Sequence, residues 1–164
     1  MTDILRFTLV ILLLTVALSA YFLVVGALFA SRVEKTQASF ALTPGRSFGL
    51  GLVNFLFFGL IAFVMLSLAE RTGSFVKGIL TVPALLILAF LSILLSVGLA
   101  AAVQHLAGRL FPDMPNWKRN LWSSAILCVA CALPFVGWFL LLPYVAFTGI
   151  GATILGFFQR NDLL

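Results

Sequence analysis

Charge is what this chain most lacks. Only 9% of its 164 residues are Asp, Glu, Lys or Arg, against roughly 25% in a soluble domain. None of them falls within the core of any of five apolar stretches. Proton relays, voltage sensors and ion-coupled carriers need ionisable groups inside their spans, so this absence excludes them. Histidine occurs once, as His105, which rules out bis-histidine haem ligation within one chain. The two cysteines, Cys128 and Cys131, form a C-x-x-C inside an apolar stretch, without the second ligand pair that a structural zinc site requires. Soluble catalytic patterns are absent too: there is no H-E-x-x-H, no P-loop and no G-x-G-x-x-G ahead of a soluble helix. Nor can Ser, His and Asp meet as a triad on one side of a membrane. The chain reads as no enzyme.

What fills the sequence instead is hydrocarbon. Hydrophobic residues make up 63% of the chain, too much for a chain of this size to hide from water, so lipid must cover it. The reading is a single all-α transmembrane domain over 1–164, a helix bundle with five spans at about 4–30, 48–68, 79–106, 117–133 and 138–158. The first is expected to be a retained span, because its apolar run exceeds the 7–15 residues of a signal core. The polar stretches 31–47 and 108–120 read as loops.

The last two spans come from one apolar stretch, 121–158. As a single straight helix it would reach about 57 Å, nearly twice the ~30 Å hydrocarbon core. Pro134-Phe135-Val136-Gly137-Trp138 is the expected break. Proline stops the helix, glycine permits a tight reversal, and Trp138 suits the headgroup level. The hairpin turn is thus assigned to Pro134, Gly137 and Trp138. Four spans with a kinked last helix are the alternative. Thr43-Pro44-Gly45-Arg46-Ser47 reads as a turn with Ser47 capping the second span, and Asn116 as the cap of the fourth.

Counting cations sets the orientation. Five spans put Arg32, Lys35, Arg46, Arg109, Lys118, Arg119 and Arg160 on one side, and Arg6, Arg71 and Lys77 on the other. The positive-inside rule then places the N-terminus outside and the C-terminus in the cytoplasm, in a bacterial inner membrane. The net charge of +5 is spread over short connections. It suits anionic headgroups and makes no patch for nucleic acid.

Several residues stand out against this background. His105 could ligate a haem iron or chlorophyll magnesium, or sit as an interfacial histidine bonded to water or lipid. Asn54 is a carboxamide deep in an apolar stretch and should face protein as glue between helices. Thr148, Ala152 and Gly156, with Gly98 and Ala102, form small-x-x-x-small faces that let helix backbones approach. Ser92 and Ser96 can bond carbonyls of their own helix. Phe55, Phe57 and Phe58 point around much of the second span, towards lipid or a docked partner.

The order of these words resembles a known pattern. A basic loop is followed by Thr43-Pro44-Gly45-Arg46-Ser47-Phe48-Gly49-Leu50-Gly51-Leu52 opening a span. A long third span follows, then Leu133-Pro134-Phe135-Val136-Gly137-Trp138 and a glycine-rich span ending in Gln159-Arg160. This resembles the membrane-embedded half of bacterial polymer-forming, bactofilin-like membrane proteins. Those carry a β-rich domain ahead of the first span, where this chain has only residues 1–3. The resemblance implies topology, with the first span entering from outside, and no catalytic residue. The functional expectation is a non-catalytic accessory or scaffolding subunit of an integral membrane complex, such as a photosynthetic or respiratory one. A small homo-oligomeric channel or lipid carrier is the alternative.

Overall fold

The computed structural model describes residues 2–133 and 135–158, and every element among them is helical. Six α-helices follow in order: α1 (Thr2–Leu28), α2 (Ala30–Leu42), α3 (Pro44–Glu70), α4 (Ser74–Leu110), α5 (Asn116–Ala132) and α6 (Leu142–Phe158). A π-helical turn, Val136–Leu141, leads into α6. Four stretches are long and apolar enough to cross a membrane: Thr8–Leu28, Pro44–Glu70, Ser74–Leu110 and Val136–Phe158.

The boundaries depart from the sequence reading in instructive ways. Residues 31–47 are no loop. Most of them form α2, whose Val33, Thr36 and Ser39 recur every three residues and are buried against α4 and α6. The hydroxyls on that face bond carbonyls of their own helix, Thr36 Oγ1 to Arg32 O at 2.8 Å and Ser39 Oγ to Lys35 O at 3.3 Å. A polar segment thereby acquires a dry face. Ser47 does not cap α3. The helix starts at Pro44, which suits a first helical position because its missing N–H would be unpaired there anyway. Ser47 is buried one turn in, and its N–H donates to Thr43 O at 3.0 Å. Asn116 is likewise the first residue of α5, with Pro115 in the cap position. The third span extends to 37 residues and carries Pro83 inside it. Proline removes the donor that would bond the Ile79 carbonyl.

The core is built on backbone contact. A Cβ on Gly51 of α3 would overlap the Phe147 carbonyl of α6, and one on Gly151 would overlap the Ser47 carbonyl. A Cβ on Gly98 of α4 would overlap the Gly149 backbone, and one on Gly149 would come within 2.9 Å of the Gly98 carbonyl carbon. Thr153 Oγ1 donates to Gly149 O at 2.8 Å and lies 3.4 Å from Leu94 O on α4. Around this crossing pack Val97, Ala100, Ala101 and Val103 of α4, with Val33, Leu127 and Val145. On the flank, Tyr21 Oη of α1 donates to Ser96 Oγ at 2.6 Å, and Ser96 Oγ donates on to Ser92 O at 2.7 Å.

Between α5 and α6 the helix breaks around residues 133–135. The residue with positive φ is Phe135 (φ 68°, ψ −69°), and Gly137 has none. Gly137 is needed for closeness, since a Cβ there would sit 2.5 Å from Cys131 O and 2.6 Å from Ala130 O. Trp138 lies exposed in the π-helical turn. Pro134 and Arg160, which the sequence reading used for the break and the charge count, lie outside the described residues.

Gly51→Ala and Gly98→Ala should each cost about 3 kcal/mol or more, because backbone cannot move aside as a side chain does. Gly49→Ala, where a Cβ meets nothing within 4 Å, should gain roughly 0.5–1 kcal/mol. Unfolding in mixed micelles reads all three. The same assay should show Phe135→Gly gaining about 1 kcal/mol from relief of a left-handed φ.

Candidate functional site

Three features of the surface offer room for another molecule. The first is a cavity of about 240 Å³ between α2, α4 and α6. Gly156 lies on its wall beside the α2 backbone, where a Cβ would meet Thr36 N at 3.6 Å, an ordinary contact distance. Phe90, Ile93, Leu94 and Val97 of α4 form one wall, and Thr153 and Phe157 of α6 another. Arg32 and Lys35, one turn apart on α2, stand at its edge. The Arg32 guanidinium carbon lies 4.4 Å from the centroid of the Phe157 ring, a cation–π contact that anchors the cation beside the cavity.

The second cavity, about 230 Å³, lies between α1, α4 and α5 and is apolar throughout. Leu14, Leu18, Phe22, Leu99 and Leu127 line it together with Cys128 and Cys131. Both cysteines are free and half-buried. Among the described residues, no group of three His, Cys, Asp or Glu side chains could hold a metal ion. The third feature is a shallow notch on the outer face of α3, centred on Gly59 and bordered by Phe55, Leu56, Leu60 and Phe63.

The residues singled out from the sequence fall as follows. His105 is half-buried near the end of α4, its ring 5.5 Å from that of Phe40 on α2, and it lines none of these three cavities. Asn54 is half-buried and donates to Leu50 O at 2.9 Å, a bond within its own helix and not to a neighbour. Ser92 and Ser96 bond the carbonyls of Leu88 and Ser92. Gly98 meets Gly149, Thr148 and Ala152 are fully buried, Ala102 is buried, and Gly156 faces α2. Phe55 stacks obliquely on Phe147, whereas Phe57 is largely exposed and contacts Phe58.

Arg32 and Lys35, expected as loop cations facing anionic headgroups, stand on a helix beside a cavity. The signal that could have found them was the three-residue spacing of Val33, Thr36 and Ser39 around which they alternate. Several hydroxyls serve as small groups: Ser19, Ser47, Ser123 and Thr148 bury an oxygen with no hydrogen-bond partner among the described residues. No protein-family model, curated protein or solved structure matches the chain.

If Cys128 and Cys131 act only as small apolar groups, the Cys128→Ala/Cys131→Ala variant should lose no more than about 1 kcal/mol. Its metal content by elemental analysis should equal that of the parent. A drop in bound zinc alongside unfolding would reverse that assignment.

Proposed function

We propose that this chain is a non-catalytic membrane subunit whose work is to pack against another integral membrane protein through α3. The observation that carries this is the unequal burial of the helices. In the most apolar 18-residue stretches 11% of residues are buried in α3 and 17% in α1, against 44% in α4 and in the segment ending with α6. Gly59 lies mid-way along that open side, where a Cβ would meet nothing within 4 Å. Glycine costs a helix roughly 1 kcal/mol relative to alanine. Gly51, Gly98, Gly149 and Gly151 return that cost through contacts within the chain; Gly59, like Gly49 on the same helix, does not. A notch of small and aromatic residues is the surface on which helices associate in lipid, where apolar area alone gives no drive.

We read the chain as crossing five times, with its C-terminus in the cytoplasm. The end of α6 meets α2 at Arg32, Lys35 and Thr36. The other end of α2 places Phe40 on His105, close to the end of α4, and residues 111–115 lead directly into α5. Leu94 and Gly98 of α4 meet Thr153 and Gly149 of α6 in reverse order, so these two helices run antiparallel where they cross, and the five-span reading rests on the cation count. At 17 residues, or about 26 Å, α5 is at the short limit for a span. The homo-oligomeric channel or lipid carrier differs in placing a second copy, not a different chain, on the same face.

Mild detergent extraction from the native membrane, followed by mass and composition of the particle, tests the subunit reading. A stoichiometric complex with a larger chain is expected, and Gly59→Leu should cut its yield at least tenfold while leaving this chain folded. A particle of this chain alone would sink the reading, and several copies together would favour the channel or carrier. For topology, Thr72→Cys and Asp113→Cys in a background without native cysteines should label oppositely. The first should react with an impermeant maleimide on intact cells, the second only after lysis.

A further inference from the structure

The cavity between α2, α4 and α6 combines two chemistries that belong together in one kind of molecule. Its interior is hydrocarbon-like, lined by Phe90, Ile93, Leu94 and Val97. A void lined this way holds no stable water, which needs two to four polar partners. Phe90 and Ile93 are also more than half exposed on the outside of α4, so the space opens sideways towards the bilayer. At its edge stand two cations on the most polar helix of the bundle, Arg32 and Lys35.

We propose that this cavity seats an acyl chain of an anionic phospholipid, with the lipid phosphate against Arg32 and Lys35. The match is one of charge and position. Basic groups between membrane helices, at the level of the headgroups, are where anionic lipids are recognised. Arg32 is tied beside the opening by the Phe157 ring. A guanidinium held by its π-face still offers in-plane N–H donors, whose fork fits two phosphate oxygens. The 240 Å³ volume is below the roughly 300–1,000 Å³ of pockets for compact drug-sized ligands, and suits part of one flexible chain. Gly156 is on the wall beside these cations, where a side chain much larger than alanine would take up part of the space. This inference stands apart from the docking role of α3, which uses an uncharged, apolar notch.

Native mass spectrometry of the detergent-solubilised full chain, titrated with phosphatidylglycerol or phosphatidylcholine, tests it. Phosphatidylglycerol should be retained at least tenfold more tightly. Arg32→Gln/Lys35→Gln should weaken its retention about 30-fold, the worth of two interfacial cations, and leave phosphatidylcholine unchanged. Arg71→Gln/Lys77→Gln removes the same charge elsewhere and should have no such effect. Ile93→Trp, placed on an exposed lining position, should plug the cavity and abolish the preference without disturbing the core. Equal retention of the two lipids would overturn the proposal. So would an equal loss in the Arg71/Lys77 variant, or an unchanged preference in Ile93→Trp. Should the Arg32/Lys35 variant fail to fold, Ile93→Trp decides alone.

Discussion

Helices in lipid gain little by leaving it for one another, so what binds them is close contact of backbone with backbone. Here that contact is made twice on α6, by Gly151 against α3 and by Gly149 against α4. The Ile150 side chain between them is fully buried. Because α6 touches both neighbours through glycine, it fixes how near α3 and α4 can come and where each crosses. The hydroxyl of Thr153, within reach of α4 one turn further along, adds polar registration to the steric one. Everything else in the bundle is placed by reference to this junction.

One dependent feature is α2. It is too polar to enter hydrocarbon by itself, yet Val33, Thr36 and Ser39 are almost entirely buried. Two helices that have already met offer the floor on which it can lie, with Gly156 beside its backbone. The cavity beside it is a by-product of three cylinders meeting at unequal angles, filled at one side by large residues and left open at the other. The same geometry brings cationic residues beside hydrocarbon without putting them in it.

Much of this was legible in advance, and the gaps have physical causes. Apolar runs without charge announce membrane helices, because nothing else tolerates them, so α1, α3, α4 and α6 could be located. Their ends could not. Ser47 looks like a cap by composition, but Pro44 starts a helix as readily, and only packing chooses between them. The small face of Thr148, Ala152 and Gly156 was visible as a spacing. The meeting of Gly51 with Phe147 and Gly151 was not, since a sequence does not state which turn of one helix meets which turn of another. The break near residue 135 was visible as Pro and Gly. That Phe135 takes the positive φ while Gly137 makes room for the carbonyls of α5 depends on how two helix ends abut. The cavity with Arg32 was least legible, for it needs three elements at once, one of them read as a loop.

The junction also has a consequence in time. Gly51 is made long before Gly151, and at roughly 5–20 residues per second the ribosome needs about 5–20 s to supply the intervening 100 residues. Throughout that interval α3 lies in the membrane with its glycine notch uncovered, and α2 has no floor on which to dock. The glycine junction therefore closes only once α6 has been made. A chain stopped before α6 would keep the packing of α1 on α4 and α5 and of α3 on α4, but would lack both glycine crossings, so it is the arrival of α6 that completes the junction.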